Sequence, residues 1–253
     1  MAFVIPDSAT EYGFRQKPGG AHSSKTMMLP ELRLLLAAST PGTEFAELRR
    51  LALEENVLLK DTLSNRGEVF RRLADLYGLR QELPLYRALR LLWQAGDQEQ
   101  PLLALLCALA RDTFLRATTS VVLNQPVGAV VAPALIAGAI EAAYPERYNP
   151  KTKLSMSQNV AASWAQSGHL AGKLSKVRTR VSASPAAAAY ALLLGHLCGV
   201  RGPFLLETEW ASVLDAEPGQ LDRLAVAASQ RGWIDYRRMG NVVEISFSHL
   251  LGA

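Results

Sequence analysis

Eight basic side chains, Arg147, Lys151, Lys153, Lys173, Lys176, Arg178, Arg180 and Arg201, fall between Glu146 and Glu207 with no acid among them. Uncompensated cations at that density set up a field that attracts a polyanion. Their chemistry is neutralisation of phosphate, not bond-making. A second group, Gln220, Arg223, Ser229, Gln230, Arg231, Arg237 and Arg238, lies near the C-terminus. Amides and guanidinium groups of that kind meet base edges and phosphates.

Bond-making chemistry needs a positioned constellation, and the sequence offers none. Gly168-His169-Leu170-Ala171-Gly172-Lys173 approaches a phosphate-binding loop, but it has three residues between the glycines where that loop has four. Leu174 also stands where a Ser or Thr would ligate Mg²⁺. His22, His169, His196 and His249 show no metal-ligand spacing, and His196 sits in an apolar stretch that reads as core. Cys107 and Cys198 form no CxxC pair and suit a reducing compartment, and Cys198 reads as a buried structural thiol. The expectation is a protein that is not an enzyme and carries no cofactor or metal.

The elements that position these groups follow from composition and pattern. The chain has 253 residues, of which 49% are hydrophobic and 20% charged, with a net charge of +4. That composition is globular, and the length suits two domains. The charge is uneven. Residues 1–146 hold 15 basic and 16 acidic side chains, whereas residues 147–253 hold 12 and 7.

Residues 1–28 carry Asp7, Glu11, Arg15, Lys17 and Gly19-Gly20, lack the apolar core of a signal peptide, and read as a flexible arm. Residues 117–140 have no charge and are long enough to span a bilayer. Pro126, Pro133 and the polar run before them predict a buried core helix instead. The protein is expected to be cytoplasmic and to avoid the membrane.

Residues 29–146 read as a helical bundle, because apolar positions recur at three and four. Leu32, Leu35 and Leu36 follow Pro30. Phe45, Leu48 and Leu51 continue the pattern. Asn65-x-x-Glu68 resembles a capping box, and Gly78 a helix stop. Residues 100–116 read as one long helix. Arg49, Arg50, Arg66, Arg71 and Arg72 offer this bundle a second contact or a docking face.

Residues 147–253 read as a basic, winged-helix-like domain, within a fold that is mainly α. Ser155-Met156-Ser157 is the expected N-cap of a helix ended by Gly168, residues 169–181 a strand pair or wing, and Pro185 the opening of a core helix. Residues 208–214 predict a short helix, Glu217-Pro218-Gly219 a turn, and residues 220–231 a second helix stopped by Gly232. A hairpin with the turn Arg238-Met239-Gly240-Asn241 follows. Helix, turn, helix and hairpin is the order of a winged helix, whose second helix can enter the major groove. The expected DNA contacts are Lys173, Lys176, Arg178 and Arg180 in the centre, with Gln220, Arg223, Gln230 and Arg231 on the helix and Arg237 and Arg238 on the wing.

Three stretches are similar to the opening of the BrxA family of BREX phage-defence systems. They are Tyr12-Gly13-Phe14 with Gly19-Gly20, the run Glu55-Asn56-Val57-Leu58-Leu59-Lys60-Asp61-Thr62-Leu63-Ser64, and Arg72-Leu73-Ala74-Asp75-Leu76. The likeness covers mainly residues 12–79 and transfers no site residue. It implies an all-helical protein with winged-helix-like parts that binds double-stranded DNA and works beside a methyltransferase, an ATPase and a phosphatase-like protein. The expected function is therefore a non-enzymatic DNA-binding component of such a system. The alternatives are a protein-interaction or assembly subunit, or a winged-helix transcription regulator, which would need a second copy to read a palindrome.

Overall fold

The apolar stripes of the first half become short helices packed on one another. They are α1 (Leu29–Ala37), α2 (Phe45–Leu53), α3 (Leu63–Tyr77), α4 (Pro84–Leu92) and α5 (Gln100–Arg111) in a computed structural model that describes residues 3–240 and 242–252. Pro30, Pro84 and Pro101 stand in first turns, where a missing N–H costs nothing. The cap of α3 is Thr62, whose hydroxyl accepts from Asn65 N at 3.2 Å. The capping box expected at Asn65 thus lies inside the helix. Gly78, at φ 81°, ends it as expected.

Residues 100–116 are not one helix. At Asp112 the backbone turns extended, and Oδ1 accepts from Phe114 N at 3.0 Å and Leu115 N at 3.1 Å. A carboxylate that caps the next helix interrupts the one before it. Two short helices follow, α6 (Thr113–Ala117) and α7 (Thr119–Leu123). The uncharged run 117–140 is broken again before α8 (Pro133–Ala143), and no helix among the described residues is long and apolar enough to cross a membrane.

Next comes α9 (Pro150–Gln166), then β1 (Leu170–Ala171) and β2 (Val177–Arg178). The start of α9 is earlier than Ser155. Asn149 Oδ1 caps Thr152 N at 2.9 Å with Pro150 in the first turn, a stronger start signal than the serines. β1 and β2 pair antiparallel in the register Leu170↔Arg178. Residues 128–131 join the far side of β2, with Arg178 N donating to Ala129 O at 2.9 Å and Val131 N to Lys176 O at 2.8 Å. Helices, a short extended segment, two helices and a hairpin make a central unit.

A similar order follows, with one leading helix and a 3-10 turn at Gly202–Glu207 where the central unit has its extended segment. α10 (Pro185–Leu197), α11 (Glu209–Ser212) and α12 (Pro218–Gln230) lead into β3 (Asp235–Met239), β4 (Val242–Ser246) and α13 (Ser248–Leu251). The expected turn at Glu217-Pro218-Gly219 is absorbed, since α12 begins at Pro218. β3 and β4 pair with Arg237 opposite Glu244. Asn241 of the expected hairpin turn, Met1 and Ala2 of the expected arm, and Ala253 lie outside the described residues.

Residues 3–28 are not a free arm. Ala9, Phe14, Ala21, His22 and Met27 are buried, and the Phe3 and Phe14 rings pack on Trp210 at 4.4 and 5.7 Å. Apolar side chains and a tightly seated glycine, Gly20, hold the segment down. Its buried residues join those of the bundle and both later units in one apolar cluster.

Candidate nucleic-acid interface

On α9 the inner side is fixed by Met156, Val160, Ala161 and Trp164, all buried. That leaves Lys151, Leu154, Ser155 and Gln158 exposed. Their spacing puts them on one face of the helix. Sequence reading missed this face because it placed the helix start too late, although the three-and-four spacing was there to find. Lys153, on the flank, pairs with Glu141 at 2.7 Å, and the Arg147 guanidinium lies 5.8 Å from the Tyr148 ring centre.

The β1–β2 hairpin follows α9 directly. Its turn carries Lys173, exposed, and Leu174, 98% exposed. Lys176 Nζ closes the turn on Gly172 O at 2.6 Å. Gly172 is required there, since it sits at φ 96° and a Cβ would stand 2.2 Å from Ser175 O. The near-miss to a phosphate loop, Gly168 to Lys173, is thus a strand leading into a hairpin turn, not a loop opening a helix.

Arg178 is not part of this surface. It is 2% exposed, and its Nη2 lies 2.5 Å from Asp215 Oδ1, with Nη1 donating to Thr179 O. The expectation of a phosphate contact fails because the side chain on this strand points into the core. Its neighbour His169 is buried as well, with Nε2 donating to Val213 O at 2.8 Å and Nδ1 facing Ser167 Oγ at 2.8 Å. Burial drives the His169 pKa down to about 4, against the pull of the Val213 carbonyl and Asp215, so the ring is neutral near pH 7. Arg180 is exposed and lies 3.6 Å from Glu217.

The C-terminal group is spread differently. Arg223 and Gln230 are exposed on α12, and Gln220 is half-buried. Arg231 leaves the helix and lies 5.4 Å from the Trp233 ring centre. On the hairpin, Arg237 is exposed opposite Glu244. Arg238 is committed at 2.6 Å to Asp222, whose carboxyl is held below its usual range by Tyr236 and Arg238. The two groups of basic residues therefore fall in two successive units, which meet where Arg180 lies beside Glu217 at the start of α12.

Their charge separates them further. Residues 113–181 hold eight basic and two acidic side chains, whereas residues 185–252 hold five and seven. Elsewhere, burial pushes the Cys198 thiol up to about 11, so it stays protonated. His196 is half-buried rather than in the core as expected, its ring 4.9 Å from that of Phe247 and tilted to it, at the edge of the apolar helix where solvent still reaches. No group of His, Cys, Asp and Glu among the described residues could hold a metal ion. No known family model matches the chain, and no curated protein matches it.

Proposed function

We propose that this protein is a non-enzymatic, double-stranded DNA-binding component of a BREX-type anti-phage defence system, and that its central unit is the winged helix that holds the DNA. One observation carries the reading. The open face of α9 and the lysine-bearing turn belong to the same unit, and that unit has eight basic side chains against two acidic ones. Lys151, Ser155 and Gln158 on α9 would meet the major groove, and Lys173 and Lys176 the flanking phosphates. The likeness of residues 12–79 to BrxA supports the defence setting.

The C-terminal unit repeats the winged-helix order with an excess of acid, which repels phosphate. Met239, 83% exposed, and Val242, 71% exposed, flank its hairpin turn. These favour a contact with another protein of the system.

Fluorescence anisotropy with a labelled duplex tests the assignment. Phosphate contacts by three cations, Lys151, Lys173 and Lys176, imply roughly a fortyfold loss of affinity between about 50 and 200 mM salt. The double variant Lys173→Glu/Lys176→Glu should weaken binding to all sequences, and Arg237→Glu should leave it nearly intact. The opposite ranking, or binding indifferent to salt, would overturn the assignment.

A further inference from the structure

A second cationic site stands in the N-terminal bundle, away from the surface just described. Between α2, α3, the turn after Gly78 and the end of α5 lies a cavity of about 470 Å³. That size lies within the range of small-molecule sites. Phe45, Phe70, Leu53 and Leu83 make its apolar walls, with the two rings 5.3 Å apart. Arg49, Arg71, Arg80 and Arg111 line it together with a single carboxylate, Asp75.

That carboxylate is oversubscribed. Arg15 lies 3.2 Å from it, Arg72 3.9 Å and Arg71 4.0 Å. Arg111 uses its bonds on neutral carbonyls, Nε to Asp75 O at 3.0 Å and Nη1 to Gly13 O. Arg80 lies 4.3 Å from the Phe45 ring centre. Two other arginines that the sequence offered are already spent. Arg50 is held at 2.7 Å by both Glu47 and Glu55, and Arg66 donates to Lys60 O and Leu53 O at 3.0 Å.

We infer that this cavity binds a nucleotide, that is, a phosphomonoester joined to a flat ring. Guanidinium groups meet phosphate through paired N–H bonds. A phosphomonoester brings about −1.5 to −2 charges, closer to the excess of the lining than a single carboxylate brings. The Arg80 plane, itself laid over the Phe45 ring, presents its outer face for stacking with a base. Gly67 adds to this. A glycine is disfavoured inside a helix, yet Gly67 stands within α3 at the cavity lining, with open space where a Cβ would be. A long side chain at this position would have room to project over the mouth. The same chemistry is carried by a free nucleotide and by the 5′-phosphorylated end of a nucleic-acid strand.

Calorimetric titration of the full chain at physiological salt tests this with AMP, inorganic phosphate, adenosine and a 5′-phosphorylated tetranucleotide. AMP should bind roughly tenfold or more tightly than phosphate or adenosine alone. Arg80→Glu and Gly67→Leu should each remove most of that affinity while the circular dichroism spectrum stays unchanged. Lys173→Glu/Lys176→Glu should leave it intact, which separates this site from the duplex-binding reading. A tetranucleotide tighter than AMP identifies a strand end as the occupant, and equal affinity a free nucleotide; both uphold the site. Absence of AMP and tetranucleotide binding at millimolar concentration overturns it, as does binding indifferent to both Arg80→Glu and Gly67→Leu.

Discussion

His22 Nδ1 lies 2.8 Å from Asp112 Oδ2, and both side chains are sealed from solvent. On the other side of the ring, Nε2 lies 2.8 Å from Ser163 Oγ. Serine, histidine and aspartate in that line have the order of a nucleophile, base and orienter. The hydroxyl is otherwise engaged, however. Ser163 Oγ donates to Asn159 O at 2.9 Å and accepts from Met27 N at 2.8 Å. The three residues form a clamp that joins the N-terminal segment, the α5–α6 break and α9.

The clamp should therefore be read out as stability. Asp112→Asn breaks a buried pair and loosens a helix cap, for an expected loss of about 3–5 kcal/mol. Ser163→Ala leaves Met27 N unpaired and should cost about 1–3 kcal/mol. Urea unfolding followed by circular dichroism measures both. Burial raises the Asp112 carboxyl, but the charge and hydrogen bonds of His22, with the Leu115 N–H, outweigh it and leave the pKa below 3.8. Its share of stability is thus present above pH 3.8 and is lost as pH falls through the lower folded value.

Gly20 should tolerate no side chain. A Cβ there would stand 2.0 Å from Asp112 Oδ2, whereas one on Gly19 would meet open space. Gly20→Ala and Asp112→Ala should therefore couple, because removing the carboxylate makes room for the methyl. A double-mutant cycle should give an interaction energy of about 1 kcal/mol or more. Strict additivity of the two losses would show that the contact is absent in solution.

His169 predicts a distinct dependence on pH. An unfolded histidine takes a proton near 6.5, whereas the buried ring, beside Asp215 and Arg178, resists it down to about 4. Between those values the unfolded state binds more protons, so stability falls as pH drops from 6.5 towards 4. The loss is on the order of 3 kcal/mol. Unfolding curves at several pH values should show a flatter profile for His169→Gln, and an unchanged profile would remove His169 as the cause.

Arg178 should behave unlike the lysines that precede it in sequence. Arg178→Ala strands Asp215 in the core and should lower stability by about 3–5 kcal/mol. Lys173→Ala and Lys176→Ala should leave the melting temperature within a degree or two. Each should reduce the salt slope of duplex binding by about one. Thermal melts beside anisotropy titrations separate the two behaviours.

The mainly α fold was legible because local signals agreed in most helices. Leu32, Leu35 and Leu36 after Pro30, and the apolar run from Pro185, bury as their spacing predicts. The errors lie where a side chain works at a distance. Asp112 splits a helix by reaching forward to Phe114 and Leu115 and back to His22, and nothing in the periodicity of residues 100–116 signals that. At the candidate interface the charge run was legible, but not which cations face outward. Arg178 turns inward because an acid thirty-seven residues later, Asp215, waits for it. Gly19-Gly20 stands out in the sequence as a pair, but the physical reason for Gly20, the carboxylate of Asp112, is visible only in three dimensions.

Phe3 and Phe14 rest on Trp210, about two hundred residues further along the chain. A ribosome delivers those phenylalanines long before their seat. They must wait, apolar and unmatched, until α11 has emerged, so a late element locks back onto an early one. Chains stalled before Trp210 should expose the two rings and invite chaperones or proteases, which makes the emergence of α11 the event that shelters them.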